Sequence, residues 1–268
     1  MLRTHIQRVF GMVILGAMAG AQAQLRACAS DVDQPPYLST ESRRGAGGLS
    51  IDVLAKVLGK NGQVMPKIER YPWLRCLKMA EEGEIDLVLN VPTAQIDPKP
   101  FWITEPFTVV HSVYYFSPQR FPKGLEIYDL ELLKKYKLCS SMGVRYESYG
   151  INNVKVDSGA KDLLALVRKT KAGYCDLFIE KREVVTMLGQ QNATIATELG
   201  QLQQRPLPEE FPVGLHFAIS RRTAEGEALL AQFNLAIAKL IRTKQIQRAR
   251  VHYLIAAPVT SASPRPKQ

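Results

Sequence analysis

The sequence lacks the short motifs that mark several common enzyme classes. It contains no G-x-S-x-G nucleophile elbow, no G-x-x-x-x-G-K-[ST] phosphate-binding loop and no G-x-G-x-x-G dinucleotide fingerprint. Its four histidines, His5, His111, His216 and His252, are isolated in apolar or basic surroundings. These absences argue against the corresponding enzymes. Binding without catalysis, and without a cofactor, is the simplest interpretation.

Long apolar segments are also absent, apart from one near the N-terminus. Residues 9–19 form an apolar run that follows Arg3 and Arg8 and precedes the small-x-small triplet at 21–23. This layout is typical of a secretory signal peptide and predicts cleavage after Ala23. The alternative, a membrane anchor, is disfavoured because the run is much shorter than the roughly 20 residues of a spanning helix. We therefore expect export to the periplasm.

The cysteines also exclude some classes of site. Cys28, Cys76, Cys139 and Cys175 include no C-x-x-C pair, and none has a histidine nearby. A zinc cluster or a thioredoxin-like motif therefore has little support. In an oxidising compartment an even number of cysteines favours disulfides. Three connectivities are possible; the positions hint at Cys28–Cys76 and Cys139–Cys175, but the sequence does not choose among them.

The formal net charge is +10, which raises the question of nucleic-acid or envelope-surface binding. The basic residues are interspersed with acids, as in EKRE at 180–183, and they form no basic arm. A solvated surface explains this pattern, so we expect no nucleic-acid partner.

The first part of the chain after the signal predicts alternating strands and helices. A strand at 25–30 is followed by a long loop, a helix at 49–62, a strand at 63–71, a helix from Pro72 to Glu82 and an apolar strand at 85–90. Pro72 suits the first turn of its helix, and Gly83 suits the end. This order predicts a parallel sheet with helices on its faces.

The same order repeats later in the chain. The segments MAEEGEIDLVLN and VRKTKAGYCDLFIE both give a helix, a glycine, an aspartate and an apolar strand. Two β-rich segments, at 106–118 and 210–221, suit strands that cross between two such lobes, and one amphipathic helix is expected at 224–254. The expected divisions are a signal peptide at 1–23, a first lobe at 24–111 and 205–255, a second lobe at 112–204 and a disordered tail at 256–268.

The ordered set QPPYL, GLSIDVLAKVL, YPWLRCLKMAEEGEIDLVLN, FWITEPF and GAKDLLALVRKTKAGYCDLFIE resembles the family 3 extracellular solute-binding proteins. These are the periplasmic components of polar amino acid ABC transporters, and the resemblance covers about residues 25–254. It implies an α/β, two-lobed type II periplasmic-binding fold, with a parallel-rich sheet in each lobe and two hinge strands. It also implies a small polar ligand and a membrane permease as partner. A monomer is expected.

Candidate ligand-binding residues in the first lobe come from this resemblance and from position. The resemblance implies an aromatic residue, Tyr37, over the ligand, and a carboxylate-binding role for Asn90 and Thr93 after the third strand. Trp73 can wall the cleft, although it and Tyr37 can equally serve in packing. Arg75 offers a guanidinium for an anion, with a solvated helix surface as the alternative.

In the second lobe, the glycine turn of SSMGVRYESYG suits a helix N-terminus that binds an anion, with Arg145 beside it. The resemblance implies that Glu180 meets a ligand ammonium, with a solvated strand-end acid or a helix cap as the alternative. The family's usual arginine a few residues after Thr93 is missing, and Ile96 stands there. Either the ligand is not a simple α-amino acid, or Arg75 or Arg145 replaces that arginine. The cleft is then expected to be net positive and to favour an anionic ligand.

The leading hypothesis from the sequence is a periplasmic protein that captures an amino acid or related carboxylate for ABC-type uptake. One alternative is a dehydratase-like enzyme on the same fold with Glu180 as its acid, since fold does not determine function. Another is a ligand sensor for a membrane receptor.

Overall fold

The computed structural model describes residues 24–42, 45–60, 62–92, 96–152, 155–208 and 212–255. The expected signal peptide and tail lie outside these residues. The described chain contains β1 (Ala27–Ser30), β2 (Ser39–Ser42), β3 (Gly45–Gly47), α1 (Leu49–Lys60), β4 (Ile68–Tyr71), α2 (Trp73–Glu82), β5 (Leu87–Pro92), β6 (Phe101–Ile103), β7 (Thr108–Phe116), β8 (Leu138–Ser141), β9 (Val156–Ala160), α3 (Leu163–Lys171), β10 (Leu177–Lys181), α4 (Arg182–Gln191), α5 (Ala193–Leu199), β11 (Gln203–Pro206), β12 (Pro212–Ser220), α6 (Gly226–Arg242) and α7 (Gln245–Ile255). No helix among these residues has the length and apolarity to cross a membrane.

The main sheet runs in the order β4-β1-β5-β12-β7-β10-β8-β9, with β6 beside β12 and β11 beside β7. Strands β4, β1 and β5 are parallel to one another, as are β10, β8 and β9. We call the β4-β1-β5 side the first lobe and the β10-β8-β9 side the second lobe. The repeated strand and helix pattern of the sequence thus corresponds to two sets of parallel strands within one sheet.

Strands β7 and β12 join the two sides. They pair antiparallel with each other from Pro212 opposite His111 to Leu215 opposite Thr108. Further along, β7 pairs with β10 of the second lobe and β12 pairs with β5 of the first. Both strands come from the β-rich segments that were expected to cross.

Helix α2 begins and ends where its sequence predicts. Pro72 is its N-cap, and Gly83 at its C-cap adopts a left-handed conformation with φ of 85°, which glycine tolerates best. Its fully buried side chains are Cys76 and Ala80. Trp73, the first residue of the helix, is only half-buried.

The C-terminal region differs from the single helix that the sequence pattern suggests. Helix α6 ends at Arg242 and α7 begins at Gln245, with Lys244 between them at φ of 55°. The hydroxyl of Thr243 donates to the carbonyl of Lys239 at 2.8 Å, which satisfies the end of α6 locally. Both helices pack on α1 of the first lobe. The break lets the second helix turn back over that lobe.

Each lobe has its own apolar core and its own disulfide. Cys28 of β1 is bonded to Cys76 of α2, with their Cα atoms 6.0 Å apart. Cys139 of β8 is bonded to Cys175, which precedes β10, at a Cα distance of 5.8 Å. The sequence separations of 48 and 36 residues correspond to about 4 kcal/mol of stabilisation each in the chain-entropy treatment.

Candidate functional site

A cavity of about 330 Å³ lies between the two lobes. The first lobe contributes residues 30–34, 38, 72–74, 89, 90 and 92, and the second contributes 141–144, 161, 163, 180, 181, 184, 185 and 188. The strand residues among them lie at the carboxyl ends of β1, β5, β8 and β10. Ligands of open α/β sheets bind at this edge, and the volume falls in the usual range of small-molecule sites.

Much of the cavity wall is apolar. Trp73 and Leu74 line it from the start of α2, and Val184, Val185 and Leu188 line it from α4. The lobes approach each other at the rim: a Cβ added to Gly143 of the second lobe would lie 3.3 Å from Cγ of Leu74. Gly143 has φ of +81°, so the backbone conformation and the close approach both favour glycine there. The cavity therefore suits a solute with a substantial apolar part.

A buried hydrogen-bond network forms a polar part of the cavity wall on the first-lobe side. The hydroxyl of Ser50 donates to Oδ1 of Asn90 at 3.0 Å, and Nδ2 of Asn90 donates to Oε1 of Gln34 at 3.0 Å. Asn90 is 4% exposed and has φ of 61°, a left-handed conformation that asparagine adopts more readily than most residues. Because Gln34 accepts through Oε1, its Nε2 group is left as a donor, and it has no partner among the described residues.

The charged groups of the wall fall into three sets. Asp33 is already paired with Arg70, whose Nη2 lies 2.9 Å from Oδ1, and it also accepts from Thr40. Asp31 and Lys161 are exposed at the rim. Glu180 and Lys181 end β10 inside the cavity, and Lys181 is only 8% exposed.

Trp73, Asn90 and Glu180, three of the seven residues expected at the site, line the cavity. Thr93 lies outside the described residues. Tyr37, Arg75 and Arg145 do not line the cavity, so the structure does not bring these three to the site.

Each of the three displaced residues has a local reason for its position. Tyr37 is fully buried in the first-lobe core, where burial, together with the charge of Glu183, raises the pKa of its hydroxyl. Arg75 is exposed on α2 with its guanidinium 5.1 Å from the ring centre of Tyr71. It lies one to two residues beyond Trp73 and Leu74, so the helical turn carries it away from the cleft.

Arg145 is exposed and pairs with Glu147, with Nη2 to Oε1 at 2.7 Å. The expected helix N-terminus beside it is a three-residue 3₁₀ turn at Glu147–Tyr149. The expected net positive cleft is also not found. Among described residues the wall carries the acids Asp31, Asp33 and Glu180 and the bases Lys161 and Lys181.

Two polar cavity residues that the sequence analysis missed are Lys181 and Gln34. Lys181 sits in the run EKRE, which suggests an ordinary solvated surface. The signal that identifies it is its place at the last position of a buried parallel strand, directly before a helix. Gln34 precedes the pair Pro35–Pro36 in a long loop whose path no local pattern predicts.

Outside the cavity, the described cysteines and the carboxylate of Glu183 are already engaged. Cys139 and Cys175 lie near Asp157, but both sulfurs form a disulfide, so they offer no thiolate to a metal. Glu183 accepts from both the backbone N–H and Nδ1 of His111, at 3.0 and 2.7 Å. Burial opposes its ionisation, but the bonds from His111 outweigh this and the pKa of Glu183 is lowered.

Two α/β lobes, two crossing strands and a cavity at the strand ends define the two-lobed periplasmic-binding-protein fold. No family model and no curated protein matches the sequence. Solved structures do match the fold. One is a histidine kinase sensor domain similar to periplasmic binding proteins, at 17% identity over 86% of this chain and 96% of that chain, with a TM-score of 0.64.

An amino acid ABC transporter substrate-binding protein from Streptococcus pneumoniae, bound to L-arginine, is 16% identical over 87% of this chain and 95% of that chain, with a TM-score of 0.64. The GluR0 ligand-binding core in complex with L-glutamate is 15% identical over 88% and 100%, with a TM-score of 0.64. These similarities confirm the fold that the resemblance implied.

Proposed function

We propose that the protein is an exported solute-binding protein that encloses a small polar solute between its lobes and delivers it to the membrane permease of an ABC transporter. The observation that carries this proposal is the cavity, because both lobes supply its wall and the paired strands β7 and β12 join them. A solute that contacts both lobes stabilises the closed arrangement relative to an open one. The proposal does not include catalysis.

A thermal-shift screen of amino acids, small carboxylates and polyamines on the purified protein tests this function. A ligand that binds only the folded state at 100 times its dissociation constant stabilises it by about 2.7 kcal/mol. The variant that tests the site is Leu163→Trp, which places a bulky side chain at the cavity wall and should abolish the ligand-induced rise in melting temperature. If the folded protein responds to no solute, or if Leu163→Trp responds as the native protein does, the proposed site is wrong.

Sensing is a second candidate function, favoured by the likeness to a histidine kinase sensor domain. Transport and sensing use the same kind of cavity, so they differ in the partner. Uptake of labelled solute by cells with and without the gene separates them. Loss of uptake supports transport, whereas unchanged uptake with loss of a transcriptional response supports sensing.

We further propose that residues 1–23 are removed on export, that the lobes divide at 24–111 with 205–255 and at 112–204, and that the mature chain is a monomer. Mass spectrometry of a periplasmic extract checks the cleavage. Light scattering on the purified protein checks the monomer.

A further inference from the structure

We propose that the ammonium of Lys181 recognises a carboxylate of the bound solute, and that this solute also carries an apolar body or side chain. The inference rests on the proposed solute-binding function and adds to it the chemical class of the ligand and the residue that selects it.

Lys181 has a position that few lysines occupy. It is the last residue of β10, opposite Ser112 of the crossing strand β7, and the N-cap of α4. It lines the cavity and is 8% exposed. Lysines are almost never buried to this extent unless they are paired.

The ammonium of Lys181 nevertheless has no hydrogen-bond or ion-pair partner among the described residues. The bond that Lys181 does make with Glu180 uses its own backbone N–H, at 3.3 Å from Oε2. Glu183, two residues on, is engaged by His111 and Arg250, and Asp33 is engaged by Arg70. A buried charge without a partner is unfavourable, so an anion that enters the cavity and pairs with it is favoured.

The start of α4 adds to this preference. No side chain caps the helix at Lys181, and its first-turn N–H groups carry a partial positive charge. This partial charge lies directly after Lys181 in the chain and has the same sign as the ammonium, so it adds to the preference for an anionic group near Lys181. The acid of this turn, Glu183, is engaged by His111 and Arg250.

The remainder of the wall indicates what else the solute carries. Leu163, Val184, Val185 and Leu188 surround this end of the cavity, and Trp73 and Leu74 face it from the first lobe. Two kinds of solute share the inferred chemistry: a simple carboxylic acid with an apolar body, and an amino acid with an apolar side chain. In the second kind, the carboxylate of Glu180, the residue before Lys181, is the wall acid that pairs with the ammonium of the ligand.

The experiment is calorimetric titration of the native protein, Lys181→Met and Arg182→Met with four probes of similar shape. Hydrocinnamate has a carboxylate only, phenylalanine has a carboxylate and an ammonium, hydrocinnamide is neutral, and phenylpropylamine is a cation. Arg182 is exposed and does not line the cavity, so Arg182→Met removes the same charge one residue away.

We expect at least one of the two carboxylates to bind the native protein, and both the amide and the amine to bind at least tenfold more weakly. Lys181→Met should weaken the carboxylate by about 30-fold or more, which corresponds to about 2 kcal/mol. Arg182→Met should change it by about twofold or less, as surface charges do. Lys181→Arg should restore part of the affinity. The ligand-free Lys181→Met protein should melt higher than Arg182→Met.

The inference is overturned if the amide or the amine binds as tightly as the carboxylates, if neither carboxylate binds, or if Lys181→Met binds them normally. Failure of the broader function has a different result. If a cation or a neutral solute binds between the lobes, solute binding stands and only the role of Lys181 is wrong. If the folded protein binds none of the probes and none of the solutes of the thermal-shift screen, the proposed function itself fails.

Discussion

Glu183 connects three parts of the fold, and its replacement by glutamine should reveal how much these contacts contribute to the free energy of unfolding. Its carboxylate lies at the start of α4, accepts twice from His111 of the crossing strand β7, and lies 3.5 Å from Nη2 of Arg250 on α7. The side chain of Glu183 is 9% exposed. Glutamine keeps the shape and one acceptor oxygen but removes the charge.

The magnitude follows from the two bonds to His111. Hydrogen bonds to charged groups contribute about 1.5–3 kcal/mol, and neutral ones about 0.5–1.5 kcal/mol. We therefore expect Glu183→Gln to lower the free energy of unfolding by about 1–3 kcal/mol near neutral pH. The pair with Arg250 adds less because of its longer distance. For a chain of this length, each kcal/mol lost lowers Tm by roughly 2–4 °C.

The effect should depend on pH with a definite sign. The pKa of Glu183 in the folded protein lies below its ordinary value of 4.5. A depressed carboxyl pKa stabilises the fold at pH values above the ordinary pKa, and this stabilisation is lost as the pH falls through the folded value. The difference between the native protein and Glu183→Gln should thus be full at about pH 7 and should shrink as the pH falls below about 4.5, through the lowered pKa of Glu183.

Urea unfolding followed by circular dichroism across this pH range is the assay. Glu131→Gln is the control, since Glu131 forms an exposed pair with Lys134 and should change stability by about 0.5 kcal/mol or less. Equal stabilities of Glu183→Gln and Glu131→Gln at neutral pH, or a difference that does not shrink in acid, would refute the reasoning.

Three further predictions follow from the same structure. Replacing Cys28 and Cys76 together by alanine should lower the free energy of unfolding by about 4 kcal/mol, measured by urea unfolding, and an unchanged midpoint would contradict the bond. Asp176→Asn should lower stability by about 1–3 kcal/mol and leave solute affinity unchanged. Asp176 binds Arg120 and the N–H of Lys137 directly before β10, at the opposite end of that strand from the cavity; calorimetry and unfolding separate the two effects. Arg75→Ala and Arg145→Ala should each retain solute affinity within about twofold, as changes at exposed sites do, and a large loss in either would place that arginine at the site after all.

Helix α2 shows how much of the secondary structure a local sequence pattern can determine. Pro72 and Gly83 act through their own backbone geometry, so the start and end of the helix follow from the sequence. The run after Gly83 likewise predicts a strand buried on both faces, and β5 is buried along its whole length. Local patterns also predicted the two crossing strands.

The break between α6 and α7 shows where local patterns fail. No glycine or proline stands at Thr243 or Lys244 to mark an end of the helix, but both helices pack against α1 and the chain turns between them. The energy of that packing exceeds the small preference for an unbroken helix. For this reason the sequence alone predicted one helix.

The candidate site divides in the same way. The sequence by itself determined that strand ends such as Asn90 and Glu180 face a cleft, because the carboxyl ends of parallel strands share one edge of a sheet. Only the tertiary structure decided which neighbours of those strands reach the cavity. Arg75 is turned away from the cavity by its position on the helix. Arg145 is held by an ion pair with Glu147, and Lys181 is buried in the cavity wall. These are contacts between distant segments, and no local pattern encodes them.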